Sequence, residues 1–127
     1  AVEELFRLAE IEVQESLAAV GDNPEDRLSA YVAAMLRLAQ AGHSPNRPIS
    51  LAGAPNVCRQ RIRVLHERLM EPLVGIVMAL GAKDAQVSTA LASGTIQGAV
   101  QMVEHGADLE AVTTQTKDFL RQALARA

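Results

Sequence analysis

The side chains best suited to binding chemistry are methionines, together with a few hydroxyl, imidazole and amide groups near them. Methionine is unbranched and polarisable, so it adapts to irregular apolar ligands. Ligand pockets are mostly apolar, with a few polar groups that orient the ligand. The methionines lie on or beside predicted core faces of three helices, at Met35, Met70, Met78 and Met102. The nearby polar candidates are Tyr31, His66, Thr95 and Gln97. We therefore predict a small-molecule site with these residues: Tyr31, Met35, His66, Met70, Thr95 and Met102.

A plainer explanation stays open beside this prediction. Methionine also fills gaps in ordinary hydrophobic cores. His66 lies on the flank of the predicted Ile62–Leu69 stripe, where a histidine is more often a half-exposed packing residue than a ligand contact. The residue types alone do not separate a pocket from a core.

Catalytic and metal-binding patterns do not stand out. Cys58 is predicted to lie on the buried face of its helix, where a thiol is unreactive. His43, His66 and His105 are scattered, with neither an HExxH arrangement nor metal-ligand spacing to Cys58. The acidic residues fall on predicted surface faces and helix caps, and no glycine-rich phosphate loop occurs. We predict no enzyme, no metal and no cofactor.

Length and composition limit the class of protein. The chain has 127 residues, 49% of them hydrophobic and 21% charged, which favours one folded domain over disorder. A net charge of -3 with 2% aromatic residues argues against direct binding of nucleic acid. No apolar run approaches the ~18 residues of a membrane span, and a single cysteine suits a reducing compartment. We predict a cytoplasmic protein. The one basic concentration is expected to be a solvated flank: Arg59, Arg61, Arg63 and Arg68.

The elements that must position these residues are all predicted to be helices. The first runs from the start of the chain to Gly21, and the others cover about 24–41, 55–80, 84–104 and 109–126. Asn23 and Pro24 form a strong helix start. A kink is expected at Pro72, which removes one backbone hydrogen bond. Glycines and prolines interrupt residues 42–55, where Ile49–Ala52 could form one short turn. The fold class is all-α.

The fourth predicted helix has an unusually wide apolar sector. A helix packed on one side needs an apolar stripe a little over ~100° wide, and this one is roughly twice as wide. It therefore needs two partners, and we predict that the last two helices form an intersubunit four-helix bundle. The predicted interface residues are Leu91, Gly94, Gly98, Val112, Thr116, Phe119 and Leu120. In the alternative, Gly94 and Gly98 only admit a neighbouring helix of the same chain.

The order of these elements resembles the C-terminal domain of the tetracycline-repressor (TetR) family. The resemblance spans essentially the whole chain. Its sharpest local matches are the Asp-x-Pro-x-x-Arg-Leu run from Asp22 to Leu28, the Ala90–Val103 stretch with its two glycines, and the closing Phe119–Leu124 segment. The first helix begins without a capping residue, which favours a cut through a longer polypeptide.

The resemblance implies a bacterial, homodimeric transcription regulator, usually a repressor. In that family an N-terminal helix-turn-helix domain binds operator DNA, and the C-terminal domain dimerises and holds a small effector. Residues 1–127 would then be the ligand-binding and dimerisation domain, and operator DNA would be bound only through the N-terminal domain that this chain lacks. The effector is expected to be small and apolar or aromatic, lodged between the first three helices, with the first helix as the lever. The alternative is a helical adaptor that only dimerises or docks a partner.

Overall fold

The computed structural model describes residues 2–45, 53 and 55–125, which form five helices and no strand. The helices are α1 (Val2–Ala18), α2 (Pro24–Gln40), α3 (Asn56–Ala79), α4 (Ala85–Glu104) and α5 (Leu109–Leu124). This confirms the predicted all-α class. None of these helices is long and apolar enough to cross a membrane. The predicted turn at residues 49–52 lies outside the described residues.

Side-chain caps fix where three of the helices begin. The Asn23 side chain accepts hydrogen bonds from the backbone N–H groups of Glu25 and Asp26, at 2.9 and 3.1 Å, and Pro24 occupies the first position of α2. Asp84 and Asp108 cap α4 and α5 in the same way. Each cap satisfies backbone donors that have no partner inside the helix.

Glycines with positive φ follow three of the helices, at Gly42, Gly81 and Gly106. The left-handed conformation stops a helix, and glycine adopts it without strain. The prediction that the first helix runs to Gly21 is wrong, because α1 ends at Ala18, and Gly21 has no positive φ. The chain leaves α1 through a tighter turn instead, in which the N–H of Val20 donates to the carbonyl of Leu17.

α3 runs through Pro72 without a break, and the kink there stays a prediction. Its first turns, residues 56–61, are exposed on every side. The prediction of a buried Cys58 is therefore wrong, since the thiol lies in this exposed portion. The predicted spacing of buried residues is correct in the later part of α3, where Leu69, Leu73 and Ile76 are buried.

α2 lies at the centre of the domain and packs against all four other helices. It contributes eight buried residues: Leu28, Tyr31, Val32, Ala34, Met35, Leu36, Leu38 and Ala39. The other helices each present one apolar stripe to it, including Phe6, Ala9, Val13 and Leu17 of α1. A single hydrophobic core results.

α1 and α3 are joined by two ion pairs and a ring contact. Arg61 pairs with Glu3 and Arg68 pairs with Glu10, each at 3.0 Å and each across 58 positions of the sequence. Because the offset is the same, the two helices run parallel. The Phe6 and His66 rings meet edge to face at 6.4 Å between centroids. Exposed ion pairs contribute little stability, so α1 and α3 are held together mainly by their buried apolar residues.

Candidate functional site

α4 has two apolar faces, and only one of them is covered. The inner face packs into the core through Ala92, Ile96, Ala99, Val100 and Val103. The outer face is exposed and carries Val87, Leu91, Gly94, Gly98 and Met102. Together with the exposed Phe119 of α5, we call this outer face the docking face. The wide apolar sector in the sequence is therefore the sum of these two faces.

The docking face exposes large side chains that are usually buried. Leu91 is 69% exposed, Phe119 60% and Met102 57%. Single exposed apolar residues are ordinary on soluble proteins, whereas a contiguous apolar patch marks a contact site. Spacings of three or four residues along α4 place the members of this patch next to one another. The patch therefore has the character of a contact surface.

α3 also exposes apolar residues, but in a different arrangement. Val57, Val64 and Met78 lie on its outer side. Val57 and Val64 are seven residues apart, which is roughly 10 Å along a helix, and Gln60 stands between them. Val74 is also exposed and lies four residues from Met78, so these two side chains form one small apolar patch. The docking face of α4 and α5 has a longer row of exposed apolar residues and is the stronger candidate.

Gly94 and Gly98 are not required for packing against any other described residue of this chain. A Cβ atom built at either position meets no heavy atom within 4 Å. The alternative explanation, that they admit a neighbouring helix of the same chain, is therefore wrong. A glycine inside a helix costs about 1 kcal/mol relative to alanine. Because neither glycine carries a side chain, a partner molecule could approach the backbone of α4 closely on this exposed apolar face.

A groove of about 490 Å³ runs between α4 and α5 beside the docking face. Leu91 and Phe119 stand exposed at its sides, and Ala92 and Leu120 are buried beneath it. Its remaining lining residues are Ser88, Thr95, Ala123 and Leu124. The groove is open and apolar, so it can accept a protruding apolar side chain.

Two of the predicted ligand residues, Tyr31 and Met70, are in contact with each other. The Tyr31 hydroxyl donates to the carbonyl of Leu69 at 3.0 Å and lies 4.0 Å from the sulfur of Met70. The hydroxyl of Ser93, which the sequence prediction missed, lies 3.5 Å from that sulfur. Burial raises the pKa of Tyr31, because its ionised form would lose water. Met35 is buried in the adjoining core.

The other predicted ligand residues lie elsewhere. His66 is exposed and contacts Phe6. The Thr95 hydroxyl donates to the carbonyl of Leu91 in its own helix at 3.0 Å, and Thr95 lines the α4–α5 groove. Met102 lies on the docking face. The six residues therefore do not converge on one site.

The predicted interface residues divide by exposure. Those exposed on the docking face are Leu91, Gly94, Gly98 and Phe119. Val112 is half-buried, whereas Thr116 and Leu120 are buried within their own chain. The sequence prediction of the interface omitted Val87 and Met102, although their angular position on α4 beside Leu91 and Gly98 could have included them.

Among residues 2–45, 53 and 55–125, no group of three or more His, Cys, Asp or Glu side chains could hold a metal ion. The chain matches no protein-family model, no curated protein and no solved structure. The docking face is therefore the structural feature that bears most directly on function.

Proposed function

We propose that this chain is the effector-binding and dimerisation domain of a TetR-like, ligand-responsive transcriptional regulator that works as a homodimer. The observation that carries the proposal is the exposed docking face, with two glycines that the chain does not need for its own packing. The resemblance in element order supplies the regulator class. Operator DNA would be bound only through a helix-turn-helix domain preceding this chain.

A second copy fits the docking face better than an unrelated partner. Two copies related by a two-fold axis present the same patch to each other. Gly94 and Gly98 allow the two α4 helices to approach closely, and the exposed Phe119 of each copy can enter the α4–α5 groove of the other. The α4–α5 pairs of both copies then form a four-helix bundle.

The cluster of Tyr31, Met70 and Ser93 is the best supported place for a small apolar or aromatic effector. It lies where α2, α3 and α4 meet, and the flexible Met70 side chain can move aside for a ligand. A ligand there would alter the packing of α3, and α1 packs directly against α3. Such a ligand changes operator affinity by no more than its own difference in affinity for the two arrangements.

Sedimentation equilibrium over a wide range of concentration tests the dimer. We expect a mass twice that of the chain, and a reduced mass for Leu91→Glu, because the substitution places a charge on the docking face. A single-chain mass at the highest soluble concentration would contradict the proposal. Reading the coding sequence upstream of residue 1 for a helix-turn-helix pattern tests the regulator class separately.

A helical adaptor without a small-molecule ligand is the second candidate function. The packing of two ligand candidates favours it, because Tyr31 is buried with its hydroxyl bonded and Met35 belongs to the core. Thermal unfolding with a panel of apolar and aromatic compounds separates the two functions. A ligand that binds the folded state raises the melting temperature, and Met70→Ala should alter that rise. The absence of any rise across the panel favours the adaptor.

A further inference from the structure

A second groove, of about 570 Å³, lies between α1, α2 and α3. Its apolar floor contains Leu17 and Ile76, which are both buried. Polar and charged side chains make up most of its rim: Glu10, Gln14, Arg27, Arg68 and Glu71. The volume is within the ~300–1,000 Å³ of small-ligand sites.

The α3 wall of this groove contains two residues that helices disfavour. Pro72 and Gly75 both line it. A Cβ built on Gly75 would meet nothing within 4 Å, so packing does not require glycine there. Proline has no N–H, so Pro72 leaves the carbonyl of Arg68 without its helical donor. At Gly75 the wall of the groove therefore carries no side chain.

The charges around the groove are balanced but only partly paired. Arg68 and Glu10 form an ion pair at 3.0 Å at one part of the rim. Within the described part of the chain, neither Arg27 nor Glu71 has an ion-pair partner, and Arg27 is half-buried. One spare positive group and one spare negative group thus line the same groove. An ion of one sign would be attracted by one of these groups and repelled by the other. A molecule that carries both a positive and a negative group can pair with both of them.

We propose that this groove binds a small zwitterion of the amino-acid or dipeptide class. Its carboxylate pairs with the guanidinium of Arg27, because that group can make two parallel hydrogen bonds. Its ammonium pairs with the carboxylate of Glu71. Gly75 leaves room for the ligand to lie against α3. This site is separate from the Tyr31 cluster and does not depend on the proposed regulator function.

Isothermal titration with free amino acids and simple dipeptides tests the site. We expect at least one zwitterion to bind, whereas acetate and methylammonium, which each carry half of its charge pattern, bind far more weakly. Arg27→Gln and Glu71→Gln should each weaken binding about tenfold or more, through loss of a charge-assisted hydrogen bond. Circular dichroism checks that each variant is folded. If Arg27→Gln does not fold, Glu71→Gln still tests the site, because Glu71 is exposed and its substitution should not disturb the fold.

Two glycine variants separate this proposal from the proposed dimer. Gly75→Leu fills the groove and should abolish zwitterion binding while leaving the sedimentation mass unchanged. Gly98→Leu lies on the docking face and should leave zwitterion binding unchanged. The proposal is overturned if no member of the panel binds, if acetate alone binds as tightly as the best zwitterion, or if Gly75→Leu binds normally.

Discussion

Replacing Gly98 by leucine has opposite consequences in a monomer and in a dimer. Gly98 is exposed within α4, its φ is not positive, and an added Cβ meets nothing within 4 Å. In a monomer the leucine side chain extends into water. In the proposed dimer it meets the α4 helix of the second copy at the point of closest approach.

The expected change in stability is a gain for a monomer and a loss for a dimer. In a monomer, the change removes the helix penalty of glycine and stabilises the chain by roughly 0.5–1 kcal/mol, which raises the melting temperature by roughly 2–5 °C. In a dimer, overpacking costs about 1–3 kcal/mol, and the two-fold axis applies that cost twice. A total of at least ~2 kcal/mol raises the dissociation constant about thirtyfold or more.

Sedimentation equilibrium measures the dissociation constant, and thermal unfolding at low and high protein concentration measures stability. Gly75→Leu is the matched control, because Gly75 is also an exposed glycine inside a helix with no atom near its added Cβ. It lies on α3, away from the docking face. We expect Gly75→Leu to gain stability without any change in self-association.

The result that refutes the reasoning is a Gly98→Leu variant that behaves like Gly75→Leu. Both variants would then gain stability, and the sedimentation mass of each would equal that of the original chain. In that case the docking face would not be where two copies meet, whatever the mass of the original chain.

Three further expectations concern stability. Asn23→Ala removes the acceptor of two backbone N–H groups and should cost about 1 kcal/mol in urea unfolding; no change would mean that the cap is redundant. Burial raises the pKa of Tyr31 above its ordinary 10.0, so the contribution of Tyr31 to stability should be constant below pH 10 and fall as the pH rises beyond it, because the unfolded chain ionises first. Tyr31 is the only tyrosine, so tyrosinate absorbance should appear only with unfolding, and Tyr31→Phe should abolish this pH-dependent loss. The hydroxyl of Thr89 is buried without a hydrogen-bond partner among the described residues, so Thr89→Val should raise stability by about 1 kcal/mol; a loss of stability would reveal a hidden partner.

The helices and their starts could be predicted because they depend on local chemistry. Asn23 and Pro24 specify the start of α2 whatever the rest of the chain does, and glycine at position 42 ends it by a conformation that other residues adopt only with strain. The end of α1 was harder to predict. It is set by a tight turn at Leu17 and Val20, for which the sequence has no distinctive residue.

The candidate sites are harder to predict than the helices, because they depend on which faces of each helix are covered by other helices of the fold. The sequence shows that α4 is apolar around much of its circumference, but not where its inner face ends and its outer face begins. For that reason the sequence predicts both Met102 and Thr95 in a pocket, whereas the structure places Met102 on the exposed outer face of α4 and Thr95 in the α4–α5 groove. Ser93 was overlooked because a lone serine in a polar strip does not indicate that a methionine sulfur from α3 lies opposite it.

The central place of α2 has a consequence for how the domain unfolds. α2 touches every other helix, and its eight buried residues reach into each part of the core. Unfolding of any one helix would therefore expose buried residues of α2 to water. Unfolding of α2 would remove the helix against which all the others pack. The domain should melt in one all-or-none transition, with no stable intermediate in which only some helices remain folded.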